Sequence, residues 1–211
     1  FLRLTKANII CVQEHKLLPD KFGTVRSFAR RHGFAQALAP ATSTAKGGVS
    51  SGVGFLWSKH LPVQAAGRTF RDPRRLSIEL LTDGTPILLV SFYGPQSIKE
   101  TEALLADTLC IARARNIPFC IMGDFNMTVT NVRDFLYAHA AREIVLSFGP
   151  TCHTTNNSTD IDMVIVSPTA LPLVAQYWKG SSALKTHDPL RLKLQTSMKH
   201  FVCTTWVRPK P

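Results

Sequence analysis

The cleanest periodicity in the chain lies near its end. Leu190, Leu192 and Leu194 alternate with Arg191, Lys193 and Gln195, the period-two pattern of a strand buried on one face. Read the same way, the rest of the chain gives strands interleaved with helices. "NIICVQE" (8–14) is a short apolar run closing in polar residues, and it predicts a buried strand. Over 20–33, Phe22, Val25, Phe28 and Ala29 fall at helical spacing, with Gly33 as a stop. "FAQALAP" predicts a strand. "GGVSSGVGFLWS" begins as a glycine-rich loop and becomes another. It lacks the G-x-x-x-x-G-K-[ST] pattern of a phosphate-cradling loop, so its glycines read as turn and packing positions.

The segment 74–95 reads as a hairpin. Leu76, Ile78 and Leu80 alternate, Asp83-Gly84 gives the turn, and Ile87 to Tyr93 returns. A helix follows from Ser97, whose pairing with Glu100 three residues on forms a capping box. Ile98, Leu105, Leu109 and Ala112 share one face of it. "IPFCIMGD" predicts an apolar strand, "NVRDFLYAHAARE" a short helix, and "DIDMVIVSP" a strand closed by Pro168. Hairpins mixed with helices imply a layered α/β or α+β domain. We place that domain at residues 1–197 and read 198–211, ending "RPKP", as a basic linker or tail. The chain opens Phe1-Leu2-Arg3-Leu4, which reads as the interior of a longer sequence.

Charge changes the picture. The chain has 211 residues with a formal net charge of +11 and 18% charged residues. That is a globular composition with an excess that favours a polyanionic partner, either nucleic acid or an anionic membrane surface. No apolar run is long enough to span a bilayer. The five cysteines form no C-x-x-C pair, so a reduced, intracellular setting fits better than a disulfide scaffold. Cys11 with His15, or Cys152 with His153, could share a zinc, but neither has a matching second pair.

The candidate chemistry sits at the strand ends, where sites gather in layered α/β domains. The first strand ends in Glu14, the hairpin strand near Tyr93, and "PFCIMGDFN" in Asp124 and Asn126. Asp160 and Asp162 open "MVIVS", and His187 lies in the loop before the last strand. Each has a bland alternative: a solvated strand end, a Gly-Asp-Asn turn, an edge aromatic. Together they suit hydrolysis of a phosphate ester. Glu14 is a natural ligand for a hard cation such as Mg²⁺. Asp124 could orient and deprotonate a water, with Asn126 beside it. His187 could stabilise phosphoryl charge or move a proton, with Asp162 setting its tautomer. Tyr93 could donate a hydrogen bond to a phosphate.

"IICVQEHK", "VSFYGP", "IMGDFN", "DIDMVIVSP" and "THDPL" stand in the order and at about the spacing found in the endonuclease/exonuclease/phosphatase family, which this chain resembles from about Ala7 to Leu194. The resemblance implies a four-layered α/β sandwich, with two mixed sheets face to face and helices outside. It implies Mg²⁺-dependent phosphoester hydrolysis, with Mn²⁺ able to substitute. It assigns metal binding to Glu14, phosphate contact to Tyr93, water positioning to Asp124 with Asn126, and the oriented histidine to Asp162 and His187. Two departures stand out. The family's opening strand, which carries an asparagine that helps hold metal and phosphate, would lie before Phe1, so the first strand is expected to be truncated. The family's Ser-Asp-His before the last strand is Lys185-Thr186-His187 here. A threonine hydroxyl is a poor Mg²⁺ ligand beside a carboxylate. Asp188 is no substitute, because a one-residue shift in extended chain turns the side chain away.

Basic residues cluster at Arg26, Arg30 and Arg31, at Arg68, Arg71, Arg74 and Arg75, and at Arg113 and Arg115. The second cluster interleaves Phe70, a mix suited to gripping a nucleic-acid backbone and stacking on a base. The resemblance and the charge together favour an endonuclease nicking duplex DNA, most like the endonuclease domain of a LINE-type retrotransposon. Such a domain would work in the nucleus, with a reverse transcriptase downstream in the full-length chain. An apurinic/apyrimidinic repair endonuclease comes next. The rivals are a phosphoinositide or lipid phosphatase, which would not need the basic clusters, and a degenerate binding module.

Overall fold

The run Ile87–Tyr93 is buried at every position, so it needs cover on both faces. A computed structural model of the chain, describing residues 7–45, 47–65, 70–155, 157–180 and 186–197, shows how that cover is supplied. In chain order the elements are β1 (Ile9–Val12), α1 (Phe22–Arg31), β2 (Phe34–Leu38), β3 (Thr42–Ser43), β4 (Val49–Ser50), β5 (Gly54–Ser58), β6 (Val63–Ala65), β7 (Arg71–Asp72), β8 (Arg75–Leu80) and β9 (Ile87–Tyr93). They continue with α2 (Ile98–Ala114), β10 (Phe119–Asp124), α3 (Val129–Ala138), β11 (Ile144–Leu146), β12 (Cys152–His153), β13 (Ser158–Thr159), β14 (Asp162–Val166), β15 (Val174–Lys179) and β16 (Leu190–Leu194).

The main sheet has seven strands, in the order β11-β14-β10-β9-β8-β6 with β7 also on β8. It is mixed: β9 and β10 are parallel, and α2 provides the crossover that a parallel pair requires. The alternation of a strand sends successive side chains to opposite faces. One face, with Leu88, Val90, Phe92, Ile121, Met163 and Ile165, packs on Leu105 and Leu109 of α2 and on Val132 and Leu136 of α3. The other, with Ile78, Leu89, Cys120, Val164 and Val166, packs on a second layer that contributes Phe55, Trp57, Ile9, Cys11, Leu192 and Leu194. That second layer is antiparallel throughout. It consists of the three-stranded sheet β1-β5-β2 and the ribbon β15-β16. Helix α1 lies against β2 and buries Ala29. The result is the four-layered α/β sandwich, and among the described residues the main sheet is the mixed one.

The main local readings hold, but Phe28 of α1 is 44% exposed, and three further differences stand out. The Ser97 side chain caps α2 by accepting from the Glu100 N–H at 3.5 Å. Ile98, however, is 49% exposed, because the first turn overhangs the sheet. Buried Thr101 begins the inner face instead, its hydroxyl donating to the Pro95 carbonyl. Helix α3 starts at Val129, earlier than its apolar pattern suggests, because Thr128 caps it by accepting from the Asn131 N–H. Strand β15 had no sequence signal, since five of its six residues are exposed. The proposed tail at 198–211 lies outside the described residues.

Polar groups tie the two sheets together beside the strand ends. Fully buried Ser91 on β9 donates to the Val12 carbonyl at 3.1 Å and accepts from Gln13 Nε2 at 3.1 Å. Half-buried Cys11 and fully buried Cys120 carry thiols whose pKa values loss of solvent pushes up to about 12. They are free, as are Cys110 and Cys152.

Candidate active site

Strand register brings three candidates into a row. Tyr93 on β9 stands opposite Asp124 on β10, and Asp124 opposite Asp162 on β14. The turn after Asp124 is tightly built. Gly94 N–H donates to the Asp124 carbonyl and Phe125 N–H to the Ile161 carbonyl. A Cβ on Gly94 would lie 2.0 Å from the Phe125 carbonyl oxygen, so only glycine fits there. Phe125 is fully buried and stacks on Phe92 with centroids 4.6 Å apart. Asn126 takes a left-handed backbone with φ 49°, which asparagine tolerates. Its N–H donates to Asp124 Oδ1 at 2.9 Å, and its Nδ2 donates to the Gly94 carbonyl at 2.7 Å. Gln96 Nε2 reaches Asn126 Oδ1 at 3.4 Å. Turn chemistry and site chemistry thus use the same residues.

His187 arrives from the other layer. Its Nδ1 lies 2.8 Å from Asp162 Oδ2, which fixes the tautomer and points Nε2 away from Asp162. The loop is held by backbone bonds: His153 N–H to the Thr186 carbonyl at 2.7 Å and Asp188 N–H to the Thr151 carbonyl at 2.8 Å. Asp188 turns away, as a one-residue shift dictates. Its carboxylate meets His153 Nε2 at 2.9 Å and Lys179 Nζ at 3.3 Å. This clamp joins residues 35 positions apart and had no sequence signal. Thr186 is exposed.

Asp124, Asp162 and His187 each offer one ligand atom, and these atoms lie within 4.8 Å of one another. Glu14, at the end of β1, has a left-handed backbone with φ 50° and pairs with Lys16 at 3.3 Å. It stands outside that tight group but acts on it electrostatically. Burial, reinforced by Asp162 and also by Glu14, raises the Asp124 pKa to about 6, against the pull of the Asn126 N–H and His187. The His187 pKa is raised, first by its hydrogen bond to Asp162 and then by the charges of Asp162, Asp124 and Glu14. The Tyr93 hydroxyl is pushed up by burial, then by Glu14 and Asp124. These hard carboxylate oxygens around one mouth, beside a histidine, fit a small divalent cation.

The arginine cluster behaves differently from a free basic loop. Arg68 lies outside the described residues. Arg71 lies on β7, paired opposite Leu76. Arg74 sits over the Tyr93 ring at 5.2 Å and donates to the Gly94 carbonyl at 3.1 Å, bracing the site. Arg75 bonds Asp72 at 2.8 Å and also Asp107 and Thr108. Phe70 is not a base-stacking residue: it is buried in the core beneath Arg75, because the apolar ring gains more against α2 than in solvent.

The profile of the Endonuclease/Exonuclease/phosphatase family matches residues 1–182. No curated protein sequence matches the chain. Among solved structures, the endonuclease domain of TRAS1, a telomere-specific non-LTR retrotransposon, superposes with a TM-score of 0.65 at 18% identity, covering 90% of this chain and 87% of that one. An endonuclease/exonuclease/phosphatase family protein from Leptotrichia buccalis gives 0.62 at 12% identity, covering 90% and 88%. Truncated Caenorhabditis elegans TDP2 gives 0.54 at 11% identity, covering 87% and 82%. At these identities the likeness is one of fold.

Proposed function

The chain belongs to the endonuclease/exonuclease/phosphatase family, and on that premise we propose that it is a Mg²⁺-dependent endonuclease that nicks duplex DNA, of the retrotransposon type. The observation that carries the reading is the Asp124–Asp162–His187 constellation at the mouth of the sandwich, in a chain of net charge +11. Ionised Asp124 accepts a proton from the attacking water, which Asn126 helps to hold. The water oxygen forms a bond to phosphorus as the bond to the leaving sugar oxygen breaks. His187, oriented through Nδ1 by Asp162 and protonated on both ring nitrogens, supplies from Nε2 the proton that the leaving oxygen takes up. Tyr93, held neutral by burial, donates a hydrogen bond to a phosphate oxygen. Glu14 is the carboxylate that would hold Mg²⁺, which when bound would offset charge on the phosphoryl oxygens. In this reading the chain acts on nuclear DNA, with a reverse transcriptase as its partner domain.

Plasmid relaxation tests the reading. The chain should convert supercoiled plasmid to nicked circles with Mg²⁺, or with Mn²⁺ in its place, and EDTA should stop it. Intact and abasic duplexes cleaved side by side separate the retrotransposon type from the repair type. Inertness on plasmid and abasic duplex, with release of phosphate from a phosphoinositide, would overturn the nucleic-acid assignment in favour of the lipid phosphatase.

No helix among the described residues is long and apolar enough to cross a membrane.

A further inference from the structure

The stretch Arg26–Arg31 takes no part in the site above. Arg26 and Arg30 lie one turn apart on one face of α1. With Lys59 they line an open groove of about 490 Å³ along Phe34, Ala35 and Gln36 of β2. All three cations are exposed. Among the described residues, no carboxylate pairs with any of them. In the other basic clusters, Arg75 pairs with Asp72 and Asp107, Arg113 with Glu143 and Arg115 with Glu79. Helix α1 contains no acidic residue. Lys59 Nζ donates to the Arg30 carbonyl at 2.8 Å, which holds the ammonium at the C-terminal turn of α1. Two guanidiniums one turn apart with an ammonium beside them repel one another unless an anion comes between.

The groove is far from the chemistry. Strand β1 runs toward Glu14, and β5 runs antiparallel to it, so Lys59 lies at the opposite end of that sheet. Ser58 N–H donates to the Asn8 carbonyl. The chain from Asn8 through β1 then separates the groove from Glu14 by up to roughly 20 Å.

We propose that this groove is a second nucleic-acid contact, gripping the phosphodiester backbone at a point distant from the scissile phosphate. Guanidinium forks and an ammonium match phosphate oxygens in charge and geometry. The assignment rests on the nucleic-acid reading of the active site, because a substrate already docked there is a long polyanion able to reach a second basic surface. The contact contributes to holding DNA and leaves the chemical step alone.

The test compares the chain with Arg26→Gln/Arg30→Gln/Lys59→Gln, whose circular dichroism and melting should match wild type. Binding of a fluorescent duplex about 30 base pairs long is followed by anisotropy in EDTA across a salt series. Losing three phosphate contacts should lower the slope of log Kd against log salt by roughly 2 to 3, at about 0.9 per contact. Affinity at low salt should fall about tenfold, and in nicking assays KM should rise while kcat stays unchanged. A single Arg30→Glu variant should weaken binding in the same direction if the triple variant proves unstable. An unchanged slope and KM overturns the proposal. So does loss of binding to a polyglutamate peptide with DNA binding intact, which would assign the groove to an acidic protein. Because anisotropy needs no turnover, a chain that binds DNA through these residues yet never nicks would refute the nuclease reading and leave the groove assigned.

Discussion

Asp124→Asn should inactivate the protein and make it more stable. In the folded chain the Asp124 pKa stands at about 6, against 3.8 for the free side chain, because burial and the neighbouring Asp162 disfavour its charge. A folded-state value above the unfolded one means that ionisation is costlier in the fold. Stability is therefore lost as pH rises from about 4 through 6, and the penalty is complete above that range. About two pKa units at 1.36 kcal/mol each set an upper bound of roughly 3 kcal/mol. Partial exposure of Asp124 reduces this to about 1–2 kcal/mol. Asparagine keeps an oxygen for the Asn126 N–H and carries no charge, so it removes the penalty. Urea unfolding in EDTA at pH 8 should show the variant more stable by that amount, and the gap should close near pH 4. Mg²⁺ should narrow it at pH 8 by stabilising the wild-type carboxylate. A gap independent of pH would refute the reasoning, because it would show that the charge of Asp124 is not what the fold opposes.

His187→Ala should reduce nicking by about 10²–10⁴-fold with little change in melting, and wild-type rates would mean that the site has been misassigned. The wild-type pH–rate profile should be bell-shaped: its acid limb follows ionisation of Asp124 near 6 and its alkaline limb loss of the raised His187 proton. A plateau without an alkaline limb would exclude His187 as the proton donor. Thr186→Asp should lower the Mg²⁺ concentration needed for half-maximal nicking, since Thr186 serves the loop through its backbone carbonyl; a higher requirement would show a site adapted to threonine. Gly94→Ala places a methyl against the Phe125 carbonyl and should destabilise by on the order of 3 kcal/mol, read as a lower urea midpoint. A neutral effect would mean that the turn carrying Asp124 and Asn126 is plastic.

Much of the fold was legible because long strands bury alternating or continuous faces. The hairpin from Leu76 to Tyr93, the capped helix at Ser97 and the alternation at Leu190–Leu194 all follow from local pattern. Strand β15 did not, because Val174–Lys179 leans on one partner with most of its side chains in solvent. The candidate site residues were readable as polar strand ends, yet their grouping depends on register: Asp124 meets Asp162 through antiparallel pairing across 38 residues of chain, 162 less 124. Sequence could not sort the arginines. Whether Arg75 or Arg30 finds a carboxylate depends on which strands and helices become neighbours, and composition is silent on that. The His153–Asp188 clamp was hidden for the same reason.

The interlayer stitch at Ser91 has a consequence for the life of the chain. Tyr93, Asp124 and Asp162 belong to the main sheet, whereas Glu14 and His187 are delivered by strands of the second layer. Neither half of the sandwich holds a complete set. A chain with only one sheet formed, whether newly made or partly unfolded, carries no competent catalyst, so under the proposed function cleavage reports on assembly. A cell would be shielded from a nuclease that has lost its shape, since the ability to cut disappears with the docking of the sheets and not after it.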